Sequence, residues 1–591
     1  MLRPQRNRFR DHVELSGLWR FALDADDRGE ALGWQHGIPA GIEIAVPGSF
    51  NEQLEARGLR DYVGAFWLET TAFVPTGFSA RALSLYVGSA DFSATAWIDG
   101  ECIGTHDLPF LPFELELPAA VKAGTSIRIV LRLDTRLGSD DPLPGIVRED
   151  YVREGRPRDE IYPAVRFDFF PFGGVHRPPY LCARPKQRIE SVAVRGDRLD
   201  ARHGRVSVTA QCRVATGTLR LRLIDVGGVG VAQAAVELHG GHVEASLELT
   251  PCRFWSPTDP HLYRLELELG CGGEAVDVLV LPVGVRRIEV VGRQLLLNGE
   301  AIQLRGFGMH EDFAALGKGQ ALAVTVRDLE LLRWTGANCF RTSHYAYAEE
   351  TLDLADRQGL LVISELACVN LDFRRTSNTS LTRHRRTLQA QIARDRNHAA
   401  VVMWSIANEP GYLGESEYRE RSGEYWRELV AVARAADSSR PLMVANVEHA
   451  GREDPAFDHC DVVALNRYYG WYTMPGQIDR ACERLAQELA FLAQRYAKPI
   501  LVTEFGADAV AGMHALADQL FSEEYQAELL RRSLATIAAE PAAAGALVWN
   551  FADFRTAQHH RRVILNHKGV FTRSRDPKRA AFVLRELWRR S

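Results

Sequence analysis

The sequence predicts a multidomain chain in which two β-sandwiches precede a (β/α)8 barrel. Three observations carry that expectation. At 591 residues the chain is too long for one ordinary domain. Its first half reads as short alternating strands broken by turn residues. Its second half alternates apolar runs with amphipathic helical stretches about eight times, within roughly 300 residues, which is the count and size of a TIM barrel.

From about Leu15 to Leu181 the strand pattern is clearest in Ala82-Leu-Ser-Leu-Tyr-Val87 and Ser126-Ile-Arg-Ile-Val-Leu-Arg-Leu133. No long helical pattern interrupts them, so residues 1–184 are expected to form one β-sandwich. Gly217-Thr-Leu-Arg-Leu-Arg-Leu-Ile224 and Leu262-Tyr-Arg-Leu-Glu-Leu-Glu-Leu269 show the period-2 alternation of half-buried strands. Residues 185–286 therefore fit a second sandwich, of immunoglobulin-like size. Residues 287–591 are expected to be the barrel. Its strand candidates are Ile302–Gly308, Ala337–Ser343, Leu360–Leu366, Val401–Ala407, Pro441–Val447, Val462–Tyr468, Pro499–Gly506 and Ala546–Ala552. Helical spacing recurs in Val324–Arg333, Glu417–Ala436, Ile478–Tyr496 and Glu523–Ala538. A doubly wound open sheet is the alternative, but no Gly-rich dinucleotide or phosphate loop follows any strand candidate.

Composition narrows the function classes. Hydrophobic residues make up 46% and charged residues 25%, the balance of a globular protein. The net charge of −5 speaks against a general nucleic-acid or anionic-membrane binder. The basic N-terminus has no apolar run behind it, and no stretch reaches the roughly 18 apolar residues of a membrane span, so a cytoplasmic location is expected. The nine cysteines are scattered without a CxxC pair, the pattern of reduced thiols buried as small apolar residues. No metal-ligand cluster is visible, and neither metal nor cofactor is expected.

In such a barrel the chemistry sits at the C-terminal ends of the strands. Two strand candidates, the fourth and the seventh, end in a glutamate: Met403-Trp-Ser-Ile-Ala-Asn-Glu409 and Ile500-Leu-Val-Thr-Glu504. A carboxylate past an apolar strand is costly unless water, a partner or a substrate receives it. Two facing one mouth is what glycoside hydrolysis needs, one protonated for the leaving group and one ionised toward the anomeric carbon. A glutamate in either place also fits a helix cap or an arginine partner.

The surrounding residues carry a resemblance. Leu15-Ser-Gly-Leu-Trp-Arg-Phe, Val46-Pro-Gly-Ser-Phe-Asn and Asp168-Phe-Phe-Pro-Phe-Gly-Gly-Val-His-Arg177 resemble the N-terminal domain of glycoside hydrolase family 2. Asn338-Cys-Phe-Arg-Thr-Ser-His-Tyr345 and Trp404-Ser-Ile-Ala-Asn-Glu-Pro410 resemble its barrel. The resemblance runs nearly end to end. It implies a jelly-roll-like, sugar-binding first sandwich, an immunoglobulin-like second domain and a barrel. It also implies a retaining mechanism with Glu409 as acid/base and Glu504 as nucleophile.

Within that family, Asn466-Arg-Tyr-Tyr-Gly-Trp-Tyr472, Trp549-Asn-Phe-Ala-Asp-Phe554 and Asn566-His-Lys568-Gly-Val-Phe are similar to segments of the β-glucuronidases. The resemblance implies that Asn566 and Lys568 hold the uronic carboxylate. A cation and a donor at that end suit a sugar acid, and Arg562 is a plausible second cation. An isolated Asn-x-Lys is a weak signal that also fits a solvated loop lysine, and it gains strength from its place shortly after strand eight beside the family resemblance. A β-galacturonidase, β-galactosidase or β-mannosidase of the same family is the competing specificity, and a catalytically silent carbohydrate-binding protein the competing class.

Further mouth residues follow. Asn408 is placed to bond the sugar 2-hydroxyl, and Tyr468 to donate to Glu504. Trp549 offers an apolar face for the ring, or belongs to the core. The resemblance implies that Asp168 reaches the barrel mouth to bind sugar hydroxyls. His310, His344 and Tyr472 are candidates for the same work, each histidine equally a structural one. Arg341 is either another binder or a structural ion partner of Glu504. Ala346 and His398-Ala-Ala stand where family members usually have Pro and His-Pro-Ser, which predicts only local adjustment. Between Asn370 and a helix starting near Leu381 the chain is short, which suggests an open aglycone side. The expected partners are β-glucuronide small molecules or oligosaccharides, with a dimer or tetramer an open possibility.

Overall fold

The computed structural model describes residues 3–138, 141–143, 161–411 and 416–590. The first domain is a two-sheet sandwich. A six-stranded sheet of Ile42–Val46, Gly17–Asp24, Ala65–Phe73, Ser126–Asp134, Ser93–Ile98 and Glu101–His106 packs on a five-stranded sheet in which Gly174–Arg184 is central. Every other residue of Ser126–Asp134 points inward (Ile127, Ile129, Leu131, Leu133), which closes the core against Phe50 and Phe66. The second domain is a seven-stranded sandwich: Ile189–Arg198, Gly204–Cys212 and His242–Leu249 face Gly230–Glu237, Thr218–Ile224, Tyr263–Cys271 and Glu274–Val283.

After a small sheet from Ile288 to Ala301, eight parallel strands close a barrel. Numbering the barrel's elements alone, the strands are β1 (Leu304–Gly308), β2 (Cys339–Arg341), β3 (Leu361–Glu365), β4 (Val401–Asn408), β5 (Leu442–Asn446), β6 (Val463–Asn466), β7 (Ile500–Glu504) and β8 (Ala543–Val548). The helices are α1 (Leu322–Thr335), α2 (Glu349–Gln358), α3 (Asn378–Asp395), α4 (Ser416–Ala436), a single turn α5 (Ala456–His459), α6 (Ile478–Tyr496), α7 (Glu523–Ala538) and α8 (Arg579–Arg590).

Most element starts fall within two residues of the sequence reading, and two lie three residues away. Strand β8 starts three residues before Ala546 because Ala543, Ala544 and Gly545 are small enough to lie against β1; a Cβ on Gly545 would sit 2.1 Å from the Leu304 carbonyl oxygen. Small residues carry little strand signal, so the pattern placed the strand too late. Helix α3 starts at Asn378, ahead of Leu381, because Ser377 and Ser380 form a reciprocal capping box.

The first sandwich is welded to the barrel by aromatic residues. Phe110 stacks on Tyr345 at 4.6 Å between ring centroids, and Arg177 donates to the Ala346 carbonyl at 2.5 Å. In Val165-Arg-Phe-Asp-Phe169 the apolar side chains are buried in the barrel's core cluster while Arg166 and Asp168 line the mouth. That alternation aims a first-domain carboxylate at the barrel. His398, ahead of β4, lies 2.7 Å from Asp356, which outweighs burial and raises its pKa to about 9. Asp356 also accepts from the Ala400 amide at 2.7 Å.

Candidate active site

Glu409 follows β4 with a left-handed φ of 49°, and Glu504 ends β7. Both line one cavity of about 880 Å³ at the C-terminal mouth of the barrel. Arg341, at the end of β2 and fully buried, bridges two strand-end carboxylates: one nitrogen donates to Glu365 at 2.8 Å, the other to Glu504. Glu365 also receives His344 Nδ1 at 2.6 Å and the Ser405 hydroxyl at 2.6 Å. The other oxygen of Glu504 accepts from the Tyr468 hydroxyl at 2.6 Å, and His344 Nε2 stands 3.8 Å from Glu504. Asn466 donates to Glu409 at 2.9 Å and to Asn408 Oδ1 at 3.0 Å, held by the Thr503 hydroxyl on its own oxygen at 2.7 Å. Asn408 Oδ1 also accepts from Arg341 at 3.3 Å.

Electrostatics separate the two carboxyls. Burial pushes Glu409 above the usual carboxylate range, and its one close donor is the neutral Asn466 amide. Burial and the neighbouring Glu409 charge also raise Glu504, but Arg341, His344 and the Tyr468 phenol pull against them. Glu504 therefore has the stronger support for a negative charge, and Glu409 is the better holder of a proton.

The far end of the cavity is a second charged network. Arg562 clasps Asp168 with two nitrogens, at 3.0 and 2.5 Å, and donates to the Tyr472 hydroxyl at 2.9 Å. Desolvation at the crowded mouth works against the Asp168 charge, although the side chain is half exposed, but Arg562, Lys568 and Asn566 together hold the carboxyl below its usual range. Asn566 donates to Asp168 at 2.7 Å and accepts from the Lys568 amide at 3.0 Å. The Lys568 ammonium is buried, 3.0 Å from the Tyr472 hydroxyl and 3.0 Å from Asp508.

Residues 288–591 match the TIM barrel domain of glycosyl hydrolases family 2, and residues 187–286 match another segment of that family. A β-glucuronidase of Paenibacillus borealis is 36% identical over 100% of this chain and 98% of its own length. The chain belongs to family 2 of the glycosyl hydrolases. The human β-glucuronidase is 34% identical over 100% of the chain and 92% of its own. The crystal structure of Ruminococcus gnavus β-glucuronidase in complex with D-glucuronic acid superposes with a TM-score of 0.91 at 32% identity, covering 99% of both chains.

Within this family 2 chain, Asp168, His344, Asn408, Glu409, Tyr468, Tyr472, Glu504, Trp549 and Arg562 all line the one cavity. Trp549 stacks on His344 at 5.0 Å and needs Gly308 beneath it, where a Cβ would come within 2.6 Å of the indole. Asn566 and Lys568 stand behind Asp168 and Tyr472. His310 is set apart: it packs among Phe169, Phe554 and Trp549, bonds the Tyr345 hydroxyl at 3.0 Å, and does not line the cavity. Burial holds its imidazole well below the ordinary pKa.

Sequence reasoning missed three residues. Glu365 ends an apolar strand just as Glu409 and Glu504 do, so the strand-end rule could have found it. Asn466 stood in a quoted motif without a role. Asp508, four residues past Glu504 in a loop, carried no signal.

Proposed function

We propose that this protein is a retaining, exo-acting β-glucuronidase. Glu504 attacks the anomeric carbon while Glu409 gives its proton to the departing oxygen, leaving a covalent glucuronyl–Glu504 ester. Glu409, now a carboxylate, takes a proton from water as the water oxygen attacks the same carbon. Glu504 leaves with its electron pair, and β-D-glucuronic acid departs with its configuration kept. Tyr468 and Arg341 steady the Glu504 charge before attack. The Asn408 amide is placed for the sugar 2-hydroxyl, and Trp549 with His344 forms an aromatic wall for the ring.

One observation carries the uronide reading: the cavity that holds Glu409 and Glu504 runs to a Tyr472–Arg562 wall with the Lys568 ammonium behind it. A sugar with a carboxylate at C6 needs cations and donors there, where a neutral sugar does not. The relatives named above, all β-glucuronidases, support the same reading. Asn370, Asp372 and Arg374 line the cavity in the short segment ahead of α3, and a short segment on the leaving-group side suits larger or polymeric aglycones.

The test is hydrolysis of the p-nitrophenyl β-glucuronide, β-galacturonide, β-galactoside and β-mannoside, with the first-formed anomer followed by proton NMR. Preference for the glucuronide and first release of the β-anomer are expected. First release of the α-anomer would overturn retention, and equal rates on a neutral glycoside would overturn the uronide specificity.

A further inference from the structure

A second large cleft, of about 470 Å³, lies at the opposite end of the barrel from Glu409 and Glu504. The second sandwich forms one wall, the junction at Arg286–Glu289 the floor, and Ser438 and Ser439 ahead of β5 the far side. Five arginines line it (Arg195, Arg198, Arg205, Arg286 and Arg287) against two carboxylates, Asp197 and Glu289.

The pairing is incomplete. Arg195 meets Asp197 at 2.5 Å, Arg287 meets Glu289 at 2.8 Å, and Arg205 meets Glu248 at 2.6 Å. Arg198 hydrogen-bonds main-chain carbonyls of Asp200 and Asn298. Arg286 is the more telling case. The residue is 5% exposed, and its guanidinium donates to the Ala399 and Val401 carbonyls at 3.0 and 2.7 Å and has no ion-pair partner among the described residues. Burial first, and the neighbouring Arg440 second, bring it down to about 9. Behind it, Arg396 has a buried Nε without a hydrogen-bond partner.

Gathering cations without enough carboxylates costs free energy that an incoming anion offsets. The cleft has the volume of a small-molecule site rather than of a single ion. No aromatic side chain lines it, so a nucleotide base or aryl ligand would find nothing to stack on. Exposed guanidinium groups on one wall (Arg195, Arg205) and at the floor (Arg287) suit planar or tetrahedral oxyanions at more than one point.

We propose that this cleft is a non-catalytic binding site for a non-aromatic oligoanion carrying two or more carboxylate, sulfate or phosphate groups. The site is separate from the catalytic mouth and does not depend on which sugar is hydrolysed there.

The experiment is isothermal titration of the full chain with citrate, inorganic pyrophosphate and a sulfated disaccharide at constant ionic strength, with sodium chloride as the control. At least one of the three is expected to bind with a Kd below ~1 mM. The three arms tell carboxylate, phosphate and sulfate preferences apart. The double variant R195Q/R287Q, altered only at exposed side chains, is expected to weaken that binding by ~10-fold or more. Its hydrolysis of p-nitrophenyl β-glucuronide should stay at the wild-type rate, which also reports that the variant is folded. Absence of binding beyond the chloride control for all three anions overturns the proposal. Wild-type affinity in the variant overturns it too, because the anion then binds elsewhere.

Discussion

The Glu409/Glu504 end of the cavity is assembled from the tips of β2, β3, β4, β6 and β7, whereas the Arg562/Lys568 end is assembled from four loops. At the first end, Arg341 spans Glu365 and Glu504, and each group is fixed by the strand below it. At the second, Asp168 comes from the first sandwich, Tyr472 follows β6, Asp508 follows β7, and Arg562, Asn566 and Lys568 follow β8. The strand-borne end must keep reacting atoms in register, and the barrel's hydrogen-bonded wall does this. On the proposed reading, the loop-borne end chooses which sugar enters, and loops can vary without disturbing the strand-borne chemistry. Its cations already have carboxylate partners, so a uronate joins a nearly balanced set rather than a bare positive pocket.

The contrast can be broken by substitutions at each end. Glu504→Gln should have the largest effect, a loss of roughly 10⁴-fold or more in kcat on every substrate, because it removes the nucleophile. Pre-steady-state kinetics with an activated aryl glucuronide should then show no burst. Near wild-type turnover would mean that the strand-borne end is misassigned.

Tyr468→Phe removes a donor to charged Glu504 and is expected to lower kcat/KM by about 10- to 100-fold. The sign of the pH effect follows from the same bond. Activity rises with pH as Glu504 ionises and falls as Glu409 loses its proton. Losing the phenol raises the Glu504 pKa, so the acidic limb should move to higher pH, while the basic limb stays. A shift of the basic limb alone would reverse the roles of the two glutamates.

Asp168→Asn gives the smallest expected effect. It leaves Arg562 without its bidentate partner at a half-open mouth, so KM should rise by a few-fold to about 10-fold with kcat little changed. Steady-state kinetics on the p-nitrophenyl glucuronide check this. A fall in kcat matching that of Tyr468→Phe would mean that the two ends are not separable.

The same contrast explains what the sequence made legible. Two sandwiches and a barrel follow from residue periodicity, and Glu409 and Glu504 stand out because each interrupts an apolar strand at its end. Glu365 obeys the same rule, yet without knowledge of Arg341 and His344 nothing distinguishes it from a helix cap. His310 follows a strand like His344, but ring packing against Phe554 and Phe169 turns it away from the cavity. The loop-borne end was legible only through resemblance, since Asp168 and Arg562 lie 394 residues apart and no periodicity joins them. Asp508 was invisible because a loop aspartate beside an alanine has no pattern until its partner Lys568 is placed next to it.

The most direct test of the central claim is the ratio of kcat/KM for p-nitrophenyl β-glucuronide to that for p-nitrophenyl β-glucoside, measured for the wild type and for Lys568→Ala. Loss of a buried charge contact of about 2–5 kcal/mol should collapse the ratio by ~30-fold or more, mainly through the glucuronide. An unchanged ratio, with both substrates slowed alike, would show that Lys568 is a structural partner of Asp508 and that the uronate is recognised elsewhere.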